Sequence, residues 1–257
     1  MSELLQNPEV VRLLSLGRDG LLFAIWETCY VTVIATFFAY VIGLPLGVLM
    51  VAGEEGGVRP LPRSVMSALN VIINILRSVP FLILMVLVIP LSRVILGTSI
   101  GTVATIIPLI VAAFPFVARL VEASIREVDK GVVEAAQSMG CSPLQIVAKV
   151  MIPESCPSLI SGFTTAFITI LSYGAMAGAI GGGGLGSMAL NLGYQRRMNI
   201  ILWVSVVVLV ILVQIFQSIG TYLAVRFDRR IGPGGKRRRR REIGRDIQKE
   251  RRMPGRM

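Results

Sequence analysis

Histidine is absent from the 257 residues, which removes the commonest proton shuttle and the commonest metal ligand. Cysteine is scarce. Cys29, Cys141 and Cys156 form no close pair and no even set, so they predict neither a metal site nor a disulfide framework. All three read as small apolar fillers. Without a Ser/His pair, a di-Asp pair or a metal constellation, no catalytic residue and no metal ligand is assigned, and an intramembrane enzyme is disfavoured. A phosphate-binding loop is missing too. The pattern G-x4-G-K-[ST] finds only Gly235-Lys236, followed by Arg237 and with Arg230 where the first glycine belongs. The chain is therefore not expected to hydrolyse ATP by itself or to carry a cofactor. The first 20 residues mix Glu3, Glu9, Arg12, Arg18 and Asp19, unlike a cleaved signal peptide, so the first apolar block is expected to be retained.

What is abundant is apolar sequence. Hydrophobic residues make up 54 % of the chain and mean hydropathy is +0.73. The excess lies in long blocks. A helix needs about 20 apolar residues to cross roughly 30 Å of hydrocarbon, and five blocks qualify: 21–51, 66–91, 100–121, 159–180 and 200–225. Gly43, Pro45 and Gly47 are expected to bend or thin the first. Prolines and glycines inside spans point to a bundle whose helices satisfy one another's backbone. The expected fold is all-α and polytopic, with a short external segment 1–20, a membrane domain 21–225 and a tail 226–257.

Charge sets the expected orientation. Residues 1 to 225 carry 12 Lys/Arg and 11 Asp/Glu, whereas residues 226 to 257 carry 14 and 4. With the tail inside, the inner segments hold Arg59, Arg63, Arg126, Lys130 and Lys149 as well as the tail, as the positive-inside rule requires. Five spans then put the N-terminus outside and the C-terminus in the cytoplasm. The Arg-rich tail, with no aromatic residue after Phe227, reads as a disordered segment touching anionic lipid headgroups; no nucleic-acid partner is expected.

One hydrophilic loop is better organised than the rest. Residues 127–153 read as two short helices. Asp129 suits the first N-cap and Gly140 a left-handed stop. Ser142, Pro143 and Gln145 form a capping-box start for the second, which is expected to stop before Pro153. Val132, Val133, Ala136 and Met139 make one apolar stripe; Leu144, Ile146, Val147 and Val150 make another. Such a hairpin can transmit a push from a partner. Ala135 and Ala136 allow close approach, and Glu134 offers an orienting charge.

The spacing of Glu134-Ala135-Ala136, Gly140 and then Val150, Ile152 and Pro153 resembles the EAA loop of ABC importer permeases, with Val150 and Ile152 as conservative departures. Between residues 21 and 225 the chain is similar to the permeases of the methionine uptake family. The similarity rests on Asn74 to Phe81, Ile89 to Gly101, Pro115 to Glu122 and Tyr173 to Gly186. The resemblance implies a type I permease fold and a homodimer in the bacterial inner membrane. It implies two ATPase subunits bringing ATP and Mg and docked on the Glu134 loops, an external substrate-binding lipoprotein, and alternating access. A secondary amino-acid carrier or a channel is the alternative. No ladder of buried acids supports proton coupling, although sodium coupling through backbone carbonyls stays open.

Tyr173, Met176 and the run Gly178 to Gly186 offer either a gate on the translocation path or close helix packing. Glu27, Arg77, Arg119 and Glu122 border apolar blocks, where each needs an interface, a cavity or a partner. Arg119 and Glu122 are expected to snorkel to the interface.

Overall fold

The computed structural model describes residues 8 to 227 except 16, 18 and 19. The expected lipid-binding tail from residue 228 onward lies outside the described residues. Helix α1 is Pro8–Leu14 and α2 is Leu21–Ala52, unbroken through Pro45. The glycines expected to bend or thin this helix serve another end. Ala35, Ala39, Gly43 and Gly47 recur every fourth residue and are all buried. They face α5, Ile106–Arg126. A Cβ on Gly43 would lie 2.7 Å from Val117 Cγ1, and one on Gly47 2.5 Å from the Ala118 carbonyl oxygen. Small residues let two backbones meet, which matters where lipid is as apolar as leucine and burial alone drives nothing.

The second span, expected over 66–91 in a block interrupted by Arg77 and Pro80, is a broken one. It is two helices, α3 Arg63–Ser78 and α4 Phe81–Leu96, bent by 107°. Val79 between them is extended, at φ −78° and ψ 126°. Pro80 explains this: its ring pushes the preceding residue out of the helical region, and it has no N–H to donate. The next crossing opens with a 3-10 turn, Thr102–Thr105, and α5 runs five residues beyond its expected end at Val121.

Helix α6 is Lys130–Ser138. Helix α7 starts as Pro143–Ile146 and continues through a π turn, Val147–Met151, into Ile152–Glu154. Helix α8, Cys156–Ala177, ends in a 3-10 turn, Gly178–Ile180. Helix α9, Gly184–Ser187, runs into a second π segment, Met188–Gln195. Helix α10 is Asn199–Phe227. Four stretches are long and apolar enough to cross a membrane, and the bent α3–α4 pair counts as a fifth if taken as one span. No strand occurs among the described residues.

The main core joins Val31, Ala35 and Ala39 of α2, Leu109 to Ile125 of α5, and Ala166 and Ile170 of α8. Ala136, Ile146 and Met151 of the α6–α7 hairpin belong to the same cluster. The hairpin is thus continuous with the bundle. Many large side chains stay outward, among them Leu87, Val94 and Trp203, as expected of a surface that faces lipid or another subunit.

Candidate functional site

The hairpin is stiff because both ends of α6 and the start of α7 are capped. Asp129 accepts a hydrogen bond from the Gly131 N–H at 2.7 Å. At the other end of α6 the Gly140 N–H reaches the Gln137 carbonyl at 2.9 Å, and the Cys141 N–H reaches the Ala136 carbonyl at 3.2 Å. This Schellman pair requires Gly140 at φ +78°. Ser142 and Gln145 then form the reciprocal capping box. Each cap is worth about 1 kcal/mol, enough to hold a nine-residue helix that would not persist alone.

The expected apolar stripes split between two faces. Ala136, 2 % exposed, and Ile146, 1 % exposed, point into the bundle; Val133, Val147, Val150 and Ile152 are half-buried. Met139, 76 % exposed, and Leu144, 75 % exposed, point outward with Val132. Ala136 is therefore small so that α6 can seat on its own chain, and of the Glu134-Ala135-Ala136 trio only Glu134 and Ala135 are presented outward. Nor does α7 stop before Pro153. The wider π turn ahead of the proline moves aside the carbonyl that its ring would meet, and Pro153 ends up exposed within Ile152–Glu154.

Between α6 and the turn at Glu54 to Val58 lies a cleft of about 570 Å³, lined by Glu54, Arg126, Lys130, Glu134 and Met151 among others. Behind it runs a polar ladder. Arg126 Nη1 donates to Glu54 Oε2 at 2.8 Å, and its Nη2 to Glu122 Oε1 at 2.8 Å. Arg119 Nη1 donates to Glu122 Oε2 at 2.7 Å. Arg119 Nη2 reaches Asn70 Oδ1 and Asn74 Oδ1, both at 2.9 Å. Arg119 and Glu122 do not snorkel as expected. Their side chains are 22 % and 10 % exposed because every charge has a partner within the bundle. The Arg126 hydrogen bond holds the Glu54 carboxyl below its ordinary range. Glu55 is likewise held low by Arg63, but that pair is exposed and contributes little.

The opposite end of the bundle is tied by Glu27. Its Oε1 accepts from the Thr102 hydroxyl at 2.6 Å and its Oε2 from the Gly184 N–H at 2.8 Å. Thr28 Oγ1 accepts from the Leu185 N–H at 2.9 Å. The glycine run is close-packed. A Cβ on Gly178 would lie 2.2 Å from the Ser187 nitrogen, and one on Gly186 2.2 Å from the Ala175 carbonyl oxygen. Gly178 thus holds two backbones together and offers no lining surface. Tyr173 stacks on Phe81, ring centroids 4.3 Å apart and nearly parallel, immediately past the α3–α4 bend. Met176 is 48 % exposed. Sequence reasoning passed over Asn70 and Asn74 as ligands of Arg119, although their spacing of four on a helix was visible.

Residues 43–233 match the family model described as "binding-protein-dependent transport system inner membrane component". The chain belongs to this family. It is a multi-pass inner-membrane permease, which sets aside the carrier and lone-channel readings. The probable D-methionine transport system permease MetI of Vibrio cholerae is 49 % identical over 217 residues, 84 % of this chain and 96 % of that relative. The D-methionine permease MetI of Escherichia coli K12 is 46 % identical over 157 residues, 60 % of this chain and 70 % of its own length. Among solved structures, the methionine ABC transporter MetNI in an inward-facing conformation superposes with TM-score 0.79 at 42 % identity, over 81 % of this chain and 96 % of that one. The fold is that of a type I ABC importer permease.

Proposed function

We propose that this permease imports methionine as a homodimer, driven by two copies of a separate ATPase subunit and supplied by an external substrate-binding lipoprotein. ATP and Mg belong to the ATPase. The observation that carries the mechanism is the α6–α7 hairpin, capped at both ends of α6 and at the start of α7, seated on the core through Ala136 and Ile146, and presenting Glu134, Ala135, Met139 and Leu144 outward. Such a body moves as a unit when a partner grips it. The relatives' names support the substrate, since they are called D-methionine permeases, and the likeness to the MetNI methionine ABC transporter supports an ABC assembly.

In this reading the hairpin end is cytoplasmic and the Glu27 end external, consistent with the distribution of Lys and Arg. ATP binding draws the two ATPase subunits together, the hairpins follow, and the bundle opens outward. Gly140, Val150, Ile152 and Pro153 shape the hairpin; Tyr173 and Met176 border the path. The tail from residue 226 contacts anionic headgroups and no nucleic acid.

The test is co-purification with the ATPase subunit, followed by methionine uptake in proteoliposomes with the binding protein outside. Expected are stoichiometric retention, lost in Glu134→Lys, and uptake that requires ATP. Uptake by the lone chain, or full retention by Glu134→Lys, would overturn the reading.

A further inference from the structure

Helix α3 carries Arg63, Ser67, Asn70, Asn74 and Arg77 at successive spacings of four, three, four and three, which places them on one stripe of the helix. Met66 and Ile73, both buried, flank this stripe, and the opposite side, with Val65, Ile72 and Ile75, is apolar and exposed. In a membrane, a polar stripe of this length faces the bundle interior or a water-filled path and not lipid. The two asparagines are fixed to Arg119, and Arg77 stands one turn further along, exposed. Among the described residues it has no hydrogen bond or ion pair.

Its depth follows from the neighbouring helix. Arg119 lies seven residues, or about 10 Å, above Arg126 at the hairpin end of α5. One more turn along α3 sets Arg77 up to about 15 Å from that end, toward the middle of a roughly 30 Å apolar layer. A headgroup phosphate at the hairpin end is then a poor partner for it. A second copy of the chain supplies no counter-charge either. The acidic residues within its spanning helices are Glu27 and Glu122, and both are already bonded.

We infer that Arg77 and Asn74 form a subsite for the α-carboxylate of the amino acid in transit. This rests on the amino-acid import reading above. Arg119 occupies the Asn74 amide oxygen, so that residue has its Nδ2 group left to donate, beside the Arg77 fork. Two neighbouring donors with no acceptor between them suit a carboxylate. The Phe81–Tyr173 stack lies four residues on from Arg77, across the bend, and offers an apolar surface for the substrate's side chain.

Proteoliposomes holding the complete transporter, with loaded binding protein outside, test this with Arg77→Ala, Arg77→Lys and Asn74→Ala. Co-purified ATPase serves as the assembly control. Arg77→Ala is expected to cut methionine uptake by about tenfold to a hundredfold, the loss for a charged hydrogen bond. Arg77→Lys keeps more, and Asn74→Ala loses less. Uptake by Arg77→Ala within about twofold of wild type overturns the subsite. So does loss of assembly in both Arg77 variants, which would make the residue an assembly contact. Wild-type uptake that depends on chloride, with dependence lost in Arg77→Ala, identifies an inorganic anion as the occupant and also overturns it. Absence of methionine uptake by wild type instead refutes the functional reading itself.

Discussion

Gly140 separates what the hairpin's shape requires from what its partner requires. Its φ of +78° closes α6, yet a Cβ built there meets nothing within 4 Å. Gly140→Ala therefore costs only the left-handed conformation, about 1 kcal/mol, with no steric term. Asn tolerates that conformation better, so Gly140→Asn is expected to cost about half as much. Leu pays a conformational cost similar to Ala's within this chain, but it places a bulky group beside the exposed Met139 and Leu144. Thermal unfolding of the purified permease should rank glycine above asparagine, and asparagine above alanine and leucine together. ATPase retention should rank differently, with Gly140→Leu far below Gly140→Ala. Equal retention by the alanine and leucine variants would refute a partner that contacts this turn. An alanine variant as stable as wild type would refute the strain argument.

Three further outcomes follow from the packing and the charges. Gly47→Ala drives a methyl to 2.5 Å from the Ala118 carbonyl, a backbone atom that cannot rotate away; a loss of about 1–3 kcal/mol is expected, read as a lower melting temperature in detergent. Glu27→Gln exchanges charge-assisted hydrogen bonds to Thr102 and Gly184 for neutral ones, costing about 1 kcal/mol. Hydrogen exchange at Gly184 and Leu185 should quicken severalfold, and unchanged protection would show that Glu27 does not hold the turn. The Glu54 carboxyl sits below its ordinary value of 4.5, chiefly through the Arg126 hydrogen bond. A depressed acid stabilises above its unfolded pKa and loses that contribution as pH falls through the folded one, so the window lies below about pH 4.5. With the side chain 42 % exposed, the effect stays below about 1 kcal/mol. Wild type and Glu54→Gln should converge in stability there, and a gap that persists in acid refutes the pairing.

Much of the molecule was legible in the order of its residues. Long apolar blocks announce crossings whatever their neighbours are, and Asp129, Gly140, Ser142 and Gln145 act within a few residues of themselves. The caps of α6 and α7 therefore formed where local chemistry placed them. The break at Pro80 was legible too, but composition alone merged its two sides into one span. Pairings across distance were hidden. Glu27 bonds to residues 75 and 157 positions away, and Arg119 reaches back 45 and 49 positions. Snorkelling was the natural expectation for Arg119 and Glu122 because each partner lay on a different segment.

By itself the sequence determined that the chain is a helical membrane bundle with a capped hairpin between two of its spans, because hydropathy and capping act over a turn or a span. Only the tertiary structure decided which face of that hairpin is presented, that Gly43, Gly47 and Gly178 are there to let backbones touch, and that Arg77 alone among the bundle's arginines near mid-depth lacks a partner among the described residues. Those outcomes depend on which helices become neighbours, and in lipid that choice is made by contact between small residues and by buried polar bonds, neither of which a single helix displays.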